Sequence, residues 1–171
     1  MEQHRKLNDL TNALGTLLAS VGGDGLPREI TRAARAVTAP DGGEGPVVIA
    51  DRARLQQVLF NLLSNAGKFT PNGGHVDVRV TEQDGDVDIQ VIDNGEGIPA
   101  AFLPHLFERF RQADGSATCV NGGLGIGLAV ARHIVEMHGG TINAGSEGVG
   151  CGASFSVRLP RAPRAADARS I

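Results

Sequence analysis

No stretch of this chain approaches the roughly 18 consecutive apolar residues needed to cross a bilayer, and no basic segment leads into an apolar core with a small-residue cleavage site. A soluble, cytoplasmic domain without direct membrane contact is the expectation. The sequence also lacks an excess of charge of one sign. Its 16 Lys and Arg against 19 Asp and Glu give a formal net charge of −3, so nothing draws it generally to phosphate backbones or anionic lipid. There is no local basic patch either, and nucleic acid is not expected as a partner. Cysteine is scarce: Cys119 and Cys151 stand alone without Cys-x-x-Cys spacing, which favours two unpaired thiols over a disulfide or a zinc site. What the chain has in plenty is glycine, 24 of 171 residues, about twice the usual ~7%. The excess is clustered and not periodic, as in loops shaped around a ligand.

With 41% hydrophobic residues, the chain is long enough for one well-cored domain plus a helical appendage. Leu7, Leu10, Leu14, Leu17 and Val21 recur at three and four residue steps. That seam predicts a helix over 1–22, either lying on its own domain or pairing with another helix. LPREITRAARAV (26–37) reads as a second helix, and PVVIA (46–50) as a short strand. Asp51 can cap a strongly amphipathic helix through Leu55, Val58, Leu59, Leu62, Leu63 and Ala66, stopped by TPNGG (70–74). Val76, Val78 and Val80 alternate with polar residues, as do Val87, Ile89 and Val91 beyond a turn at EQDGD (82–86); a connection that short requires an antiparallel pair. Residues 102–112 suggest a short amphipathic helix. Leu124 to His138 suggests a buried helix, apolar nearly all round, with a glycine stop at Gly139-Gly140. Strands at 141–145 and 153–159 follow, the second with Ala153, Phe155, Val157 and Leu159 inward. The organisation expected is an N-terminal helix at 1–22, one domain over 26–160 and a flexible tail at 161–171, in an α+β fold: a two-layer sandwich with one mixed sheet and helices on one face.

Three segments carry chemistry. Asn61 and Asn65 lie one helical turn apart, on a polar stripe shared with Gln57 and Lys68. A neutral amide oxygen can be one hard ligand for magnesium; a merely solvated polar face is the alternative. Asp93 ends a strand and is followed by Asn94, Gly95, Glu96, Gly97, Ile98 and Pro99. A carboxylate fixed there can accept from the exocyclic amine of adenine while Gly95 and Gly97 let the backbone approach the base. Asp-Asn-Gly is also ordinary turn chemistry. GEGIPA fits a dinucleotide pattern, but the antiparallel neighbours and the lack of a second acid about 20 residues on reject it. GGLGIGL (122–128) directly precedes a helix, where backbone N–H groups and the positive helix end can meet phosphate, or where glycines merely form a hinge. No Lys-Ser or Lys-Thr follows, so it is not a P-loop. Residues 99–121 form a long connection of the kind that serves as a lid, and Arg109 and Arg111 within it can neutralise a γ-phosphate.

Taken together, NLLSNAGKFTPNGG, VIDNGEGIP, LFERFRQAD, GGLGIGLAVARHIVEMHGGTI and GSEGVGCGASFSVRLP, in this order and spacing, closely resemble the ATP-binding catalytic domain of bacterial sensor histidine kinases over about residues 46–160. The resemblance implies the Bergerat, or GHKL, fold, with ATP and Mg2+ as cofactors. It implies that Asn65 is the magnesium ligand, Asn61 its phosphate-side neighbour, Lys68 a phosphate contact and Phe69 an aromatic beside the adenine. Asp93 matches the adenine-amine acceptor, with Gly95, Gly97 and Ile98 beside it, and Phe107 and Phe110 resemble lid anchors. Gly123, Leu124, Gly125, Ile126, Gly127 and Leu128 match the phosphate-side box, and Ser154 stands where the family often has a threonine near the base. ATP-hydrolysing relatives usually carry a water-activating glutamate at the position of Asn61. An asparagine cannot be that base, so transfer of the γ-phosphoryl to a histidine is implied instead.

Gly67 departs from the family's larger residue there. The family's acceptor motif, a histidine followed by an acid and soon by Arg and Pro, is absent: His4 is followed by Arg5, and the other histidines fall inside the match. The implied partners are therefore a histidine-bearing dimerisation domain, in cis or in trans, and a response regulator receiver domain. A non-catalytic nucleotide-binding module docking on a kinase or response regulator is the alternative.

Overall fold

The computed structural model describes residues 36–37, 48–110 and 125–162. The expectations for the helix at 1–22, for the tail beyond 162 and for the 26–35 segment lie outside these residues. Helix α1 (Arg52–Phe69) forms as its periodicity predicts. The Asp51 carboxylate caps it by accepting from the Arg54 N–H at 3.1 Å, and Leu55, Val58, Leu59, Leu62, Leu63 and Ala66 are all buried. At the far end the Thr70 hydroxyl donates to the Ala66 carbonyl at 2.6 Å, occupying one of the acceptors that a helix end leaves open.

The sheet has five strands: β1 (Ala36–Val37), β2 (Val76–Gln83), β3 (Asp86–Asp93), β4 (Thr141–Gly145) and β5 (Ala153–Pro160), in spatial order β1-β2-β3-β5-β4. Pairing is antiparallel throughout except for β1, which runs parallel to β2 with Ala36 opposite Val78. The connection between β2 and β3 is tighter than the five-residue turn expected. Only Asp84 and Gly85 intervene, at φ 55° and 84°, the double positive φ that lets two residues reverse a twisted pair.

Helix α2 (Gly127–Met137) packs beside α1 on one face of the sheet. It ends in a Schellman arrangement: Gly140 N–H donates to the Val135 carbonyl and Gly139 N–H to that of Glu136, both at 3.0 Å, with Gly139 at φ 71°. Val76, Val78, Val80, Val87, Ile89, Val91, Phe155, Val157 and Leu159 face the helices in one aliphatic cluster. With neither Trp nor Tyr in the chain, branched side chains fill the core, each contributing about 1.5–3 kcal/mol on full burial.

Four local expectations are corrected. Ala36 and Val37, read as the end of a helix, are strand, because pairing with β2 overrides a weak helical spacing. Within 46–50 there is no described strand; Val48 makes a single antiparallel bridge to Arg161. The amphipathic helix over 102–112 is only a 3-10 turn at Leu103–His105, and by Phe110 the backbone has reached φ 63°, which no right-handed helix accommodates. Finally, α2 is one-sided: Ala131, Ile134 and Val135 are buried, while Arg132, His133, Glu136 and Met137 are exposed.

Candidate functional site

Alternation along β3 puts Asp93 on the same face as Val87, Ile89 and Val91, so the strand carries its last residue, a carboxylate, into the core layer. Asp93 is 6% exposed. One oxygen, Oδ1, accepts from the N–H of Gly95 at 2.9 Å and of Ala153 at 3.3 Å. Burial pushes its carboxyl pKa above the ordinary value, and these two hydrogen bonds pull it back in part. Among the described residues Oδ2 has no partner, so half of a buried carboxylate is left to accept from something else.

The glycines after Asp93 are dictated by close backbone contact. A Cβ on Gly95 would collide with the Phe69 carbonyl, and one on Gly97 with that of Gly148. In their absence Glu96 N–H donates to the Phe69 carbonyl at 2.9 Å, tying the segment to the end of α1. The other side is held by the β4–β5 loop, where Gly150 N–H donates to the Glu96 carbonyl at 2.6 Å and Gly152 N–H to that of Gly95 at 3.1 Å. Ser146 completes this contact: its hydroxyl accepts from Ile98 N–H at 2.9 Å and donates to the Gly152 carbonyl at 2.7 Å. The Asn94 side-chain oxygen accepts from His75 N–H at 2.7 Å. Neither Ser146 nor Asn94 was singled out in the sequence as holding the corner. The one signal was their position, each at the first residue past a strand.

On α1, Asn61 donates its amide N–H to the Gly127 carbonyl at 2.8 Å. One turn later Asn65 is half-buried, and among the described residues its amide is unbonded. Lys68 is exposed, its Nζ 5.0 Å from the centre of the Phe69 ring; that ring is 43% exposed. Helix α2 begins at Gly127 without any side-chain cap. Its first intrahelical bond is Val130 N–H to the Ile126 carbonyl at 2.9 Å, so the N–H groups of Gly127, Leu128 and Ala129, without a partner among the described residues, point out from the positive end of the helix. Gly125, at φ 65°, accepts from Phe110 N–H at 3.1 Å.

The structure thus brings Phe69, Asp93, Gly95, Gly97 and Ile98 into one corner, and Asn61 against Gly127, with Asn65 one turn beyond. Asn61 commits one amide N–H to α2. Phe107 is half-buried against the core, whereas Phe110 is 72% exposed and its backbone N–H donates to the Gly125 carbonyl. Arg109 is exposed. Ser154 is not at the site: it pairs with Ile92 on the outer face and its hydroxyl meets the Gly145 carbonyl at 3.4 Å. Ala153, opposite Asp93, holds the register that Ser154 was expected to hold. Arg111, Gly123 and Leu124 lie outside the described residues. No group of three or more His, Cys, Asp or Glu that could hold a metal occurs among the described residues, and no helix there is long and apolar enough to cross a membrane.

Residues 50–163 match the family described as histidine kinase-, DNA gyrase B-, and HSP90-like ATPase. The chain is 42% identical over 137 residues to hybrid signal transduction histidine kinase D of Dictyostelium discoideum, covering 66% of this chain and 9% of that protein. It is 42% identical over 110 residues to sensor histidine kinase WalK of Bacillus subtilis, covering 63% of this chain and 18% of that protein. The chain therefore spans less than a fifth of either relative. Among solved structures, the mycobacterial sensor histidine kinase MprB superimposes with a TM-score of 0.71 at 27% identity, over 91% of this chain and 96% of that one. Full-length ShkA in complex with AMPPNP gives 0.68 at 31% identity, over 90% of this chain and 31% of that one.

Proposed function

The chain belongs to the histidine kinase-, DNA gyrase B-, and HSP90-like ATPase family, and from that premise we propose that it is the ATP-binding catalytic domain of a two-component sensor histidine kinase, passing the γ-phosphoryl of ATP to a histidine on another domain or chain. The observation that carries the reading is the buried Asp93 with one oxygen committed to Gly95 and Ala153 and the other free. A buried acceptor of that kind selects a base that offers an amine, as adenine does. The glycine contacts that bring the backbone alongside suit a flat heterocycle, and the exposed Phe69 ring would be available to pack on it.

The N–H groups at the start of α2, which have no partner among the described residues, suit phosphate oxygens. Lys68 and Arg109 would supply positive charge to the phosphates, with Arg111 expected to join them from its place in the sequence. Mg2+ would be held by the Asn65 amide oxygen, which has no partner among the described residues, and by the phosphates themselves; bound there, it would neutralise charge on the transferring group. Asn61 offers no base for activating water, and its amide is already bonded to Gly127. Transfer by positioning and charge stabilisation is therefore favoured over hydrolysis. The relatives are multidomain histidine kinases, which supports a histidine-bearing domain as the recipient and a receiver domain of a response regulator beyond it.

The test is incubation with γ-labelled ATP and Mg2+, alone and with a histidine-bearing helical hairpin. Acid-labile, base-stable label on the hairpin is expected. Measurable nucleotide binding with no label on any histidine would overturn the kinase reading in favour of a non-catalytic nucleotide-binding module.

A further inference from the structure

Two side-chain to backbone hydrogen bonds join the helices that carry the phosphate-side groups. One is Asn61 to the Gly127 carbonyl at 2.8 Å. The other lies at the opposite end of the pair: the Asp51 N–H, at the cap of α1, donates to Nε2 of His138, at the end of α2, at 3.0 Å. Ten residues of α1 separate the two points on one helix and eleven residues of α2 on the other, about 15 Å and about 16 Å of helix at ~1.5 Å per residue. The spans match, so both bonds form across one straight antiparallel pair.

The His138 ring has no freedom in this arrangement. A backbone N–H can only donate, so Nε2 must be bare. Nδ1 lies 2.7 Å from the Ile134 carbonyl, which can only accept, so Nδ1 must carry the proton. Asp51 is equally committed, its carboxylate to Arg54 N–H and its carbonyl to Leu55 N–H at 2.9 Å. Between the two bonds the helices meet the sheet through apolar side chains, a contact that is non-directional and does not itself specify which backbone groups pair.

We propose that His138 is a positioning residue: with Asn61 it fixes the axial register of α1 against α2, and so sets how far Asn65, one turn beyond Asn61, stands from the start of α2. The proposal rests on the ATP-binding reading above. It assigns a role to a histidine at the far end of the helix pair from Asn61 and Gly127.

The full chain is titrated with Mg2+-ATP, well below its melting temperature, as wild type, His138→Leu and His138→Gln. The leucine variant keeps bulk but loses both bonds and should bind roughly three- to tenfold more weakly, the loss expected for about one neutral hydrogen bond. The glutamine variant, whose amide oxygen can accept from Asp51 N–H, should recover most of that loss. In the wild type, long-range 15N–1H spectra should show His138 as the neutral Nδ1–H tautomer. Unchanged affinity in the folded leucine variant overturns the proposal, as does an Nε2–H tautomer. A wild-type chain that binds no ATP overturns the functional reading instead, and the tautomer then decides whether the clamp exists.

Discussion

At the scale of single residues, Asp93 sets folding against recognition. Burial raises its pKa more than the N–H groups of Gly95 and Ala153 lower it. The unfolded chain therefore gives up this proton first as pH rises. The contribution of Asp93 to stability is full below the unfolded value and is lost as pH climbs through the higher folded value, so above that value the empty domain carries an ionised, half-bonded carboxylate at a cost. Asp93→Asn keeps an acceptor oxygen for Gly95 and Ala153 and removes the charge. We expect its urea midpoint at pH 7 to equal or exceed that of the wild type, while ATP affinity by calorimetric titration falls about tenfold or more, because an amide NH2 would then face the adenine amine. A lower midpoint with unchanged affinity would refute this. The same corner shows where residue-level reading stops. Asp93 and its glycines were legible because they are neighbours in sequence. The choice between Ala153 and Ser154 was not, because it depends on the pairing register of β5 with β3, and one residue of slip exchanges the two faces of a strand.

At the scale of elements, periodicity revealed what one-sided burial imposes and nothing else. Helix α1 and strands β2, β3, β4 and β5 each bury one stripe or one face in the same core, so their apolar spacing was visible. Ala36–Val37 is strand only because β2 offers an edge to it, and the 3-10 turn at Leu103–His105 stops short although the spacing around it would suit a longer helix. Neither fact is local. The Asn61–Gly127 and Asp51–His138 bonds were equally hidden, each joining residues more than sixty positions apart. The cap of α1, by contrast, is local and testable. Asp51→Ala removes the carboxylate that accepts from Arg54 N–H, with no acid elsewhere in the first turn to replace it. Chemical denaturation should show a loss of about 1 kcal/mol. No loss at all would mean that the helix start is held by its partners alone.

At the scale of the molecule, the site has no single owner. In the proposed site the end of β3 supplies Asp93, the last turns of α1 Asn65, Lys68 and Phe69, the start of α2 its N–H groups, and the β4–β5 loop the backing for Gly95 and Gly97. A ligand reaching from Asp93 to Gly127 touches segments that the chain itself joins mainly through the core beneath them, and it can do so only in the folded state. Binding must then stabilise the whole domain by mass action, about 2.7 kcal/mol at a hundredfold excess over Kd, or about 8 °C in melting temperature for a chain of this size. Guanine presents a carbonyl where adenine presents its amine, and that oxygen would confront the buried carboxylate of Asp93. Differential scanning calorimetry should therefore show a rise of that order with Mg2+-ATP at saturation and a shift smaller by several degrees with Mg2+-GTP at the same concentration. Chelating the Mg2+ should reduce the ATP shift, since Asn65 would then have no ion to share with the phosphates. Equal shifts from the two nucleotides would remove Asp93 from base selection, and with it the main support for an adenine site.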